Sequence, residues 1–498
     1  MSKRWRAYAP LLLALGIYLA FQLVLMRSVQ IAQYDESIYL DVARNIRRTG
    51  LPLRSFGAEG FLLLDQTPLY PYLLGGLSAV LGDNLLWLRL VTTLAGAGTI
   101  ILAYVLGLRL RGPAAGLAAA LLLAVNPFFL LYAFFVRMEL FMCFFLLLAV
   151  WLLWRWEETE RQAFLAWAGV AVATAVLFKV VAVFFCAAAV VYGFWRAAGM
   201  RPRIVAALWL GAPTAVGIVL WLSMSLLEPE RLALRIDRWT GAVGGNSPIV
   251  DPRLGVAAWP WLQTVGANVV SWGMAALFAA VLVYFLAVGR GKRPLVWLLL
   301  LYLALVLGTS LVMQLKEPRH VIGLIPATAV AIGLMGDWDD WWAGLSRWWW
   351  GQALAAGTAV IFLWFVSPLN FPAGQQTAAD WWNPMLADRL FYSDSRLEPM
   401  AEIGTYLGQV SAPGEVITVV RQGPVVGYYA DRPYLFLYTE PFDKNMSILQ
   451  NSEFVVADSQ EFWQQSPEET AQLWQYIAEH FVVDYVAGDG TAVYRRRN

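Results

Sequence analysis

About eleven stretches of apolar residues, nearly free of charge, recur along this chain, and each is near the length that crosses the hydrocarbon core of a bilayer. They fall at 8–26, 84–108, 113–133, 139–156, 163–178, 180–195, 204–227, 266–288, 294–314, 321–336 and 352–368. A soluble protein of 498 residues has no use for 59% hydrophobic residues against 14% charged ones, so the chain reads as a polytopic α-helical membrane protein. The net charge of +1 gives no bias toward nucleic acid. Cys143 and Cys186 both sit inside apolar runs and read as small buried residues, and two histidines exclude a His-rich metal site. Lys3, Arg4 and Arg6 before the first stretch suggest a retained signal-anchor helix rather than a cleaved signal peptide, because no small-residue cleavage site stands out.

The basic residues set the orientation. Arg109 and Arg111, Arg196, Arg201 and Arg203, and Arg290, Lys292 and Arg293 join the N-terminal cluster on one side only if the run 68–82 stays at the interface. That run is only about fifteen residues long and is bounded by Pro68, Pro71 and Gly75-Gly76. The positive-inside rule then places the N-terminus in the cytoplasm. The first loop, 27–83, the turn at 134–138, the loop 228–265 and the turn Lys316-Glu317-Pro318-Arg319-His320 all fall on the exterior face, with Lys179 beside them. The spans belong to a membrane domain over 1–370. Past about Asn370 the composition changes, and 385–498 reads as an exterior C-terminal α/β domain large enough for a small core of its own. Its β-like runs are 416–420, 434–438, 454–457, 482–486 and 491–494, with an amphipathic helix over 468–480 after Ser466-Pro467.

Asp35-Glu36 is the most informative polar pair. It opens a short amphipathic helix, with Ile38, Tyr39, Val42 and Ile46 at helical spacing, just beyond the first span. Carboxylates at that depth are costly to desolvate and mark functional sites. They also suit the positive end of a helix dipole, with Asp35 as N-cap, so two readings stand. Arg137, Lys179, Lys316 and Arg319 are candidate phosphate ligands, or cations that snorkel to lipid headgroups. Arg137 and Glu139, two residues apart, do not face each other on a helix and are expected to serve different partners. Glu139 reads equally as a structural ion-pair member at the mouth of the fourth span, and His320 as a wall residue of the site.

Several segments, taken in order, resemble the GT-C superfamily of integral-membrane glycosyltransferases, and especially the branch with protein O-mannosyltransferases and the lipid A aminoarabinose transferase. They are Tyr34-Asp35-Glu36 with Tyr39, Thr67-Pro68-Leu69-Tyr70, Leu88-Arg89-Leu90, Asn126-Pro127, Arg137-Met138-Glu139, Phe178-Lys179, and Arg319-His320 with Pro326. The resemblance spans about residues 5–370. It implies transfer of a sugar from a polyprenyl-phosphate donor to a glycan, lipid or protein acceptor outside the cytoplasm, at the plasma membrane. Asp35 takes the place of the family's proposed catalytic base, with Glu36 beside it. Tyr39, Asp65, Glu139 and His320 fall where substrate would lie. Relatives carry a basic residue before the first-loop proline pair, whereas this chain reads Asp65-Gln66-Thr67-Pro68. Either Lys179, Lys316 or Arg319 supplies that charge, or the donor is held differently. A divalent cation held by Glu36, Asp65 and His320 is a further candidate.

A single carboxylate acting as base implies inversion at the anomeric carbon. The rival functions are a transporter or flippase of a lipid-linked substrate, and an inactive relative that binds lipid. Transporters gather charges at the bilayer midplane, whereas here they collect at one face.

Overall fold

The computed structural model describes residues 3–26, 31, 34–57, 61–63, 66–229, 254–288, 294–313, 318–338, 340, 397–420, 422–437, 442–457 and 465–497. Helices occupy ten of the eleven stretches read as spans; the eleventh, 352–368, lies outside the described residues. Among the described residues, five helices are long and apolar enough to cross a membrane, and seven if each of two bent pairs is one span. The shorter apolar helices include Leu69–Leu81 and Gln162–Phe178.

The chain divides into two compact units. The first comprises Met1–Arg27, Leu64–Tyr70 and Arg89–Phe391. Its helices are α1 (Lys3–Leu25), most of α4 (Leu85–Arg111), α5 (Pro113–Ala124), α6 (Pro127–Phe134), α7 (Glu139–Thr159), α8 (Gln162–Phe178), α9 (Val183–Arg196), α10 (Met200–Ser225), α11 (Leu254–Thr264), α12 (Trp272–Ala287), α13 (Pro294–Val312) and α14 (Leu324–Met335). The break between α5 and α6 bends the pair by 63°. Pro127 has no N–H to continue α5, and the Asn126 side chain caps the new helix by accepting from the Phe129 N–H at 2.8 Å. The Asn126 amide also donates to the Val269 carbonyl at 3.0 Å, inside a π-helical stretch, Val265–Val270, that joins α11 to α12. One side chain therefore satisfies backbone groups at two helix breaks, which lipid would otherwise leave unpaired. Helices α8 and α10 approach so closely at Gly169 that a Cβ there would collide with the Trp209 carbonyl.

The second unit comprises Ser28–Leu63, Pro71–Leu88 and Tyr392–Asn498. It contains α2 (Tyr34–Thr49), the hairpin β1 (Leu53–Arg54) and β2 (Phe61–Leu62), most of α3 (Leu69–Leu81), and a five-stranded sheet. The sheet strands are β3 (Ile417–Val419), β4 (Tyr434–Phe436), β5 (Phe454–Ala457), β6 (Phe481–Val486) and β7 (Ala492–Arg496), ordered β4-β3-β5-β7-β6. The pairs β4-β3 and β3-β5 are parallel, and those at β7 antiparallel. β5 is buried along its whole length, as an uninterrupted Phe-Val-Val-Ala run requires. α15 (Glu398–Val410) precedes β3, and the helices between the strands are α16 (Gly423–Ala430), α17 (Phe442–Gln450) and α18 (Pro467–His480). α18 starts at a capping box in which Ser466 and Glu469 exchange hydrogen bonds, the signal that Ser466-Pro467 carries in sequence.

The first loop extends this sheet. The Tyr434 N–H donates to the Ser55 carbonyl at 3.1 Å, and the Gly57 N–H donates to the Tyr434 carbonyl at 2.9 Å. Phe56 lies edge-on to Tyr434, with ring centres 5.7 Å apart. The edge of β4 is thereby covered by backbone from near the other end of the chain, which removes an exposed pairing edge.

Candidate functional site

The acidic pair sits in the first turn of α2. The helix starts at Tyr34, slightly earlier than the apolar spacing indicates, so Asp35 and Glu36 are both helical, which rules out Asp35 as N-cap. Asp35 is half-buried, whereas Glu36 and Tyr39 are fully buried. Ile38 and Val42 pack on Leu63, flanked by Tyr34 and Ile46, so the amphipathic face folds inward within the second unit.

Farther along α2, Asp41 is buried and accepts from both the Ser55 N–H at 2.8 Å and the Ser55 hydroxyl at 2.7 Å. Burial pushes its carboxyl above the ordinary aspartate range, against the opposing pull of the Ser55 bonds and the charges of Arg44 and Arg54. Asp431 differs. Burial raises it too, but hydrogen bonds and charge from Arg48 and Arg44 outweigh that and hold it below the ordinary range. The signs give a pH prediction. The stability that Asp41 contributes is complete below its unfolded value and is lost as pH rises through its raised one. Asp431's contribution is present above its unfolded value and is lost as pH falls through its lowered one. Thermal unfolding of the purified protein across the carboxylate range should therefore show Asp41→Asn abolishing the loss on the alkaline side while leaving that on the acid side. An unchanged profile in that variant would refute the upward shift of the buried Asp41 carboxyl.

The first unit holds a separate cluster. Residues 135–138 are not helical, α7 begins at Glu139, and the Arg137 guanidinium folds back on the Glu139 carboxylate as a fork, Nη2 to Oε1 at 2.9 Å and Nε to Oε2 at 3.2 Å. This corrects the expectation of different partners for the two. That expectation applies helical geometry to a residue that lies outside the helix. Lys179 breaks α8 in an extended conformation, and its Nζ donates to Glu139 Oε1 at 2.7 Å and to the Arg319 carbonyl at 3.0 Å. Arg137 is 1% exposed, Glu139 0% and Lys179 6%. Arg319 and His320 are half-buried in a 3-10 turn, Pro318–Val321, just ahead of α14.

Aromatic residues wall the cluster. Phe178 stacks on Phe141 at 5.1 Å and Phe145 at 5.6 Å, Tyr70 meets Phe141 at 5.7 Å, and the Arg137 guanidinium lies over Tyr132 at 5.3 Å. The Thr67 hydroxyl donates to the Phe178 carbonyl at 2.9 Å, which seats Gln66-Thr67 against the segment that leads to Lys179. The Gln66 side-chain carbonyl is buried with no hydrogen-bond partner among the described residues. Segments 66–70, 132–139, 178–179 and 318–321 are thus brought together within one unit. Asp65 and Lys316 lie outside the described residues. Among the described residues no three His, Cys, Asp or Glu side chains are placed to hold a metal. The same unit contains an apolar cavity of about 260 Å³ lined by Trp259, Trp272, Phe278, Leu303, Leu324 and Thr328. Leu324 opens the helix that follows the Arg319 turn.

Residues 65–225 match the family model of dolichyl-phosphate-mannose-protein mannosyltransferases. No curated protein matches the sequence significantly. In three dimensions the chain is similar to ArnT from Cupriavidus metallidurans, with a TM-score of 0.65, 14% identity and 97% of each chain covered. The chain has the GT-C fold. The same ArnT solved with undecaprenyl phosphate bound gives a TM-score of 0.62 at 15% identity, again covering 97% of both chains. The oligosaccharyltransferase of Archaeoglobus fulgidus gives 0.57 at 14% identity, covering 98% of this chain and 73% of that one. The GT-C resemblance carried by the short motifs is therefore borne out. The family-model match takes in Thr67–Tyr70, Arg89, Asn126-Pro127, Arg137–Glu139 and Lys179.

Sequence reading missed the acidic partner of α2. Arg44 and Arg48, one helical turn apart, are its visible half. Nothing near residue 431 signals the other.

Proposed function

We propose that this protein is a glycosyltransferase that transfers a sugar from a polyprenyl-phosphate donor to an acceptor hydroxyl on the exterior face of the membrane, inverting the anomeric carbon, with Asp35 as the base. The observation that carries the reading is the buried cluster of the first unit. It pairs both Arg137 and Lys179 with Glu139, and the Lys179 ammonium also donates to the Arg319 backbone carbonyl, so three basic residues come together from three segments. Fixed guanidinium and ammonium groups at a low-dielectric site stabilise a departing phosphate without reorganising. The apolar cavity suits the isoprenoid tail, since its lining offers almost no hydrogen-bonding groups. ArnT is solved with undecaprenyl phosphate bound and the archaeal oligosaccharyltransferase AglB in complex with a dolichol-phosphate, lipids of the same chemistry.

The roles divide accordingly. A carboxylate at Asp35 takes the proton of the acceptor hydroxyl as it attacks, with Glu36 beside it in the same helical turn. Arg319 holds the phosphate, because its planar fork matches two phosphate oxygens. Arg137 and Lys179, already engaged by Glu139, set the field in which it does so. The Gln66 side-chain carbonyl, buried without a described partner, suits a sugar hydroxyl.

Incubating the purified protein with a panel of polyprenyl-phosphate sugars and following sugar loss by mass spectrometry tests the reading. Consumption of one donor is expected, and inertness toward the whole panel would overturn it. Arg319→Lys keeps the charge but loses the fork. It should weaken donor binding and slow turnover, each by roughly tenfold, about the difference between a bidentate and a single charged contact. Unchanged affinity and turnover would leave Arg319 a headgroup contact.

A further inference from the structure

Helix α2 is gripped near both ends by one short segment of the C-terminal sequence. Ahead of the helix, the Ile31 N–H donates to the Tyr429 hydroxyl at 3.1 Å. Toward its far end, Arg44 donates to Asp431 Oδ1 at 2.9 Å and Arg48 donates to Asp431 Oδ2 at 2.7 Å, so one carboxylate bridges two successive turns. Arg44 also donates to the Tyr428 carbonyl at 3.0 Å and lies over the Tyr428 ring at 4.4 Å. All these groups belong to the second unit.

The segment is built for the task. Tyr428 and Tyr429 occupy the last turn of α16, and Asp431 caps it in the left-handed region, with φ of 53°. An aspartate tolerates that conformation better than most residues, and it aims the carboxylate back past the helix end. The last carbonyls of α16 are partly free of intrahelical partners, which leaves that of Tyr428 able to receive Arg44.

We propose that Tyr429 and Asp431 are positioning residues that fix the orientation of α2 and hence of Asp35. The inference rests on Asp35 being the base. From Arg44 back to Asp35 the helix runs about 13 Å, at about 1.5 Å per residue. A tilt of about 5° at the clamped end therefore moves Asp35 by about 1 Å, a displacement that can cost on the order of 100-fold in rate. The outer half of the clamp is too exposed to contribute much stability, Asp431 being 46% exposed and Arg48 55%, against 13% for Arg44. Its four hydrogen bonds define direction more than they add cohesion. The C-terminal part of the chain thus acts on the reaction without offering a group to it.

The test is a double-mutant cycle on the full-length enzyme. Asp431→Asn should lower kcat roughly 10- to 100-fold with donor KM within about twofold, and Asp431→Glu should restore most of the loss. In an Asp35→Asn background, Asp431→Asn should cause no further loss, because there is no base left to position. Equal loss in both backgrounds would make Asp431 merely structural and overturn the proposal, as would wild-type kcat in Asp431→Asn. If that variant does not fold, Tyr429→Phe decides by the same cycle, since it removes only the hydroxyl bound to Ile31; kcat lost only where Asp35 is present supports the clamp, and any other pattern rejects it. Wild-type turnover in Asp35→Asn alone would instead defeat the assignment of the base, whatever the clamp variants do.

Discussion

Asp35→Asn should lower turnover by a factor on the order of 10²–10⁴ while donor binding survives. An acceptor hydroxyl is a poor nucleophile until its proton is being accepted, and an amide in the place of a carboxylate offers no basic site for it. The substitution keeps the shape of the first turn of α2, and Asp35 is only half-buried, so the fold should tolerate it. The helix loses one favourable charge at its N-terminal end, a loss of about 0.3–1 kcal/mol. A global unfolding on that account is not expected. Glu36, fully buried in the same turn, keeps the local field negative but is one residue further around the helix. Donor binding by isothermal titration, run beside turnover with the donor that the panel identifies, separates the two effects. Wild-type turnover in a folded variant would remove Asp35 from the mechanism, and lost donor binding would recast it as a ligand of the sugar or phosphate.

What the sequence made legible follows from the range of the forces involved. Apolar stretches declare themselves one at a time, and helices lie at ten of the eleven places read from them. Pro127 and Asn126 announce a helix break because their effects are local to two or three peptide units. The β-like runs at 416–420, 434–438, 454–457, 482–486 and 491–494 are visible for the same reason and overlap β3 to β7, whereas the sequence reading does not include the helices at 398–410, 423–430 and 442–450. Short helices such as Gly423–Ala430 begin on Gly-Pro and carry no long apolar periodicity.

The candidate site divides along the same line. The types of residue were legible: an acidic pair after the first span, and basic residues near span ends. Their pairings were not. Nothing in the spacing says that Lys179 meets Glu139 across 40 residues, or that Asp431 meets Arg44 across nearly four hundred. The misreading of Arg137 and Glu139 has a narrower cause. Two residues apart are far apart on a helix but adjacent across its first turn, and only the backbone of 135–138 decides which applies. Asp41 escaped notice because a single acidic residue on an amphipathic helix looks solvated until Ser55 folds over it.

Glu139→Gln should destabilise the first unit by about 3–5 kcal/mol, the cost of leaving a buried ion pair without one partner. Here two cations lose their shared counter-charge at once. Arg137 loses a two-bond fork and Lys179 its shorter bond, in surroundings that exclude water. Glutamine fills the same space, so the loss reports charge rather than packing. The Arg319 carbonyl still accepts from Lys179, which keeps that ammonium in place but does not neutralise it. An anion entering the cluster would supply what the variant lacks. If the donor phosphate binds here, polyprenyl phosphate should raise the thermal midpoint of Glu139→Gln by more than that of the wild type, because a ligand stabilises in proportion to its preference for the folded state. The extra rise should disappear when Arg319→Ala is added, since the phosphate then has no fork to dock on. Thermal unfolding in detergent with and without polyprenyl phosphate reads both effects. An equal rise in wild type and variant would separate the cluster from the donor site, and a variant as stable as the wild type would mean that the triad is not holding the unit together.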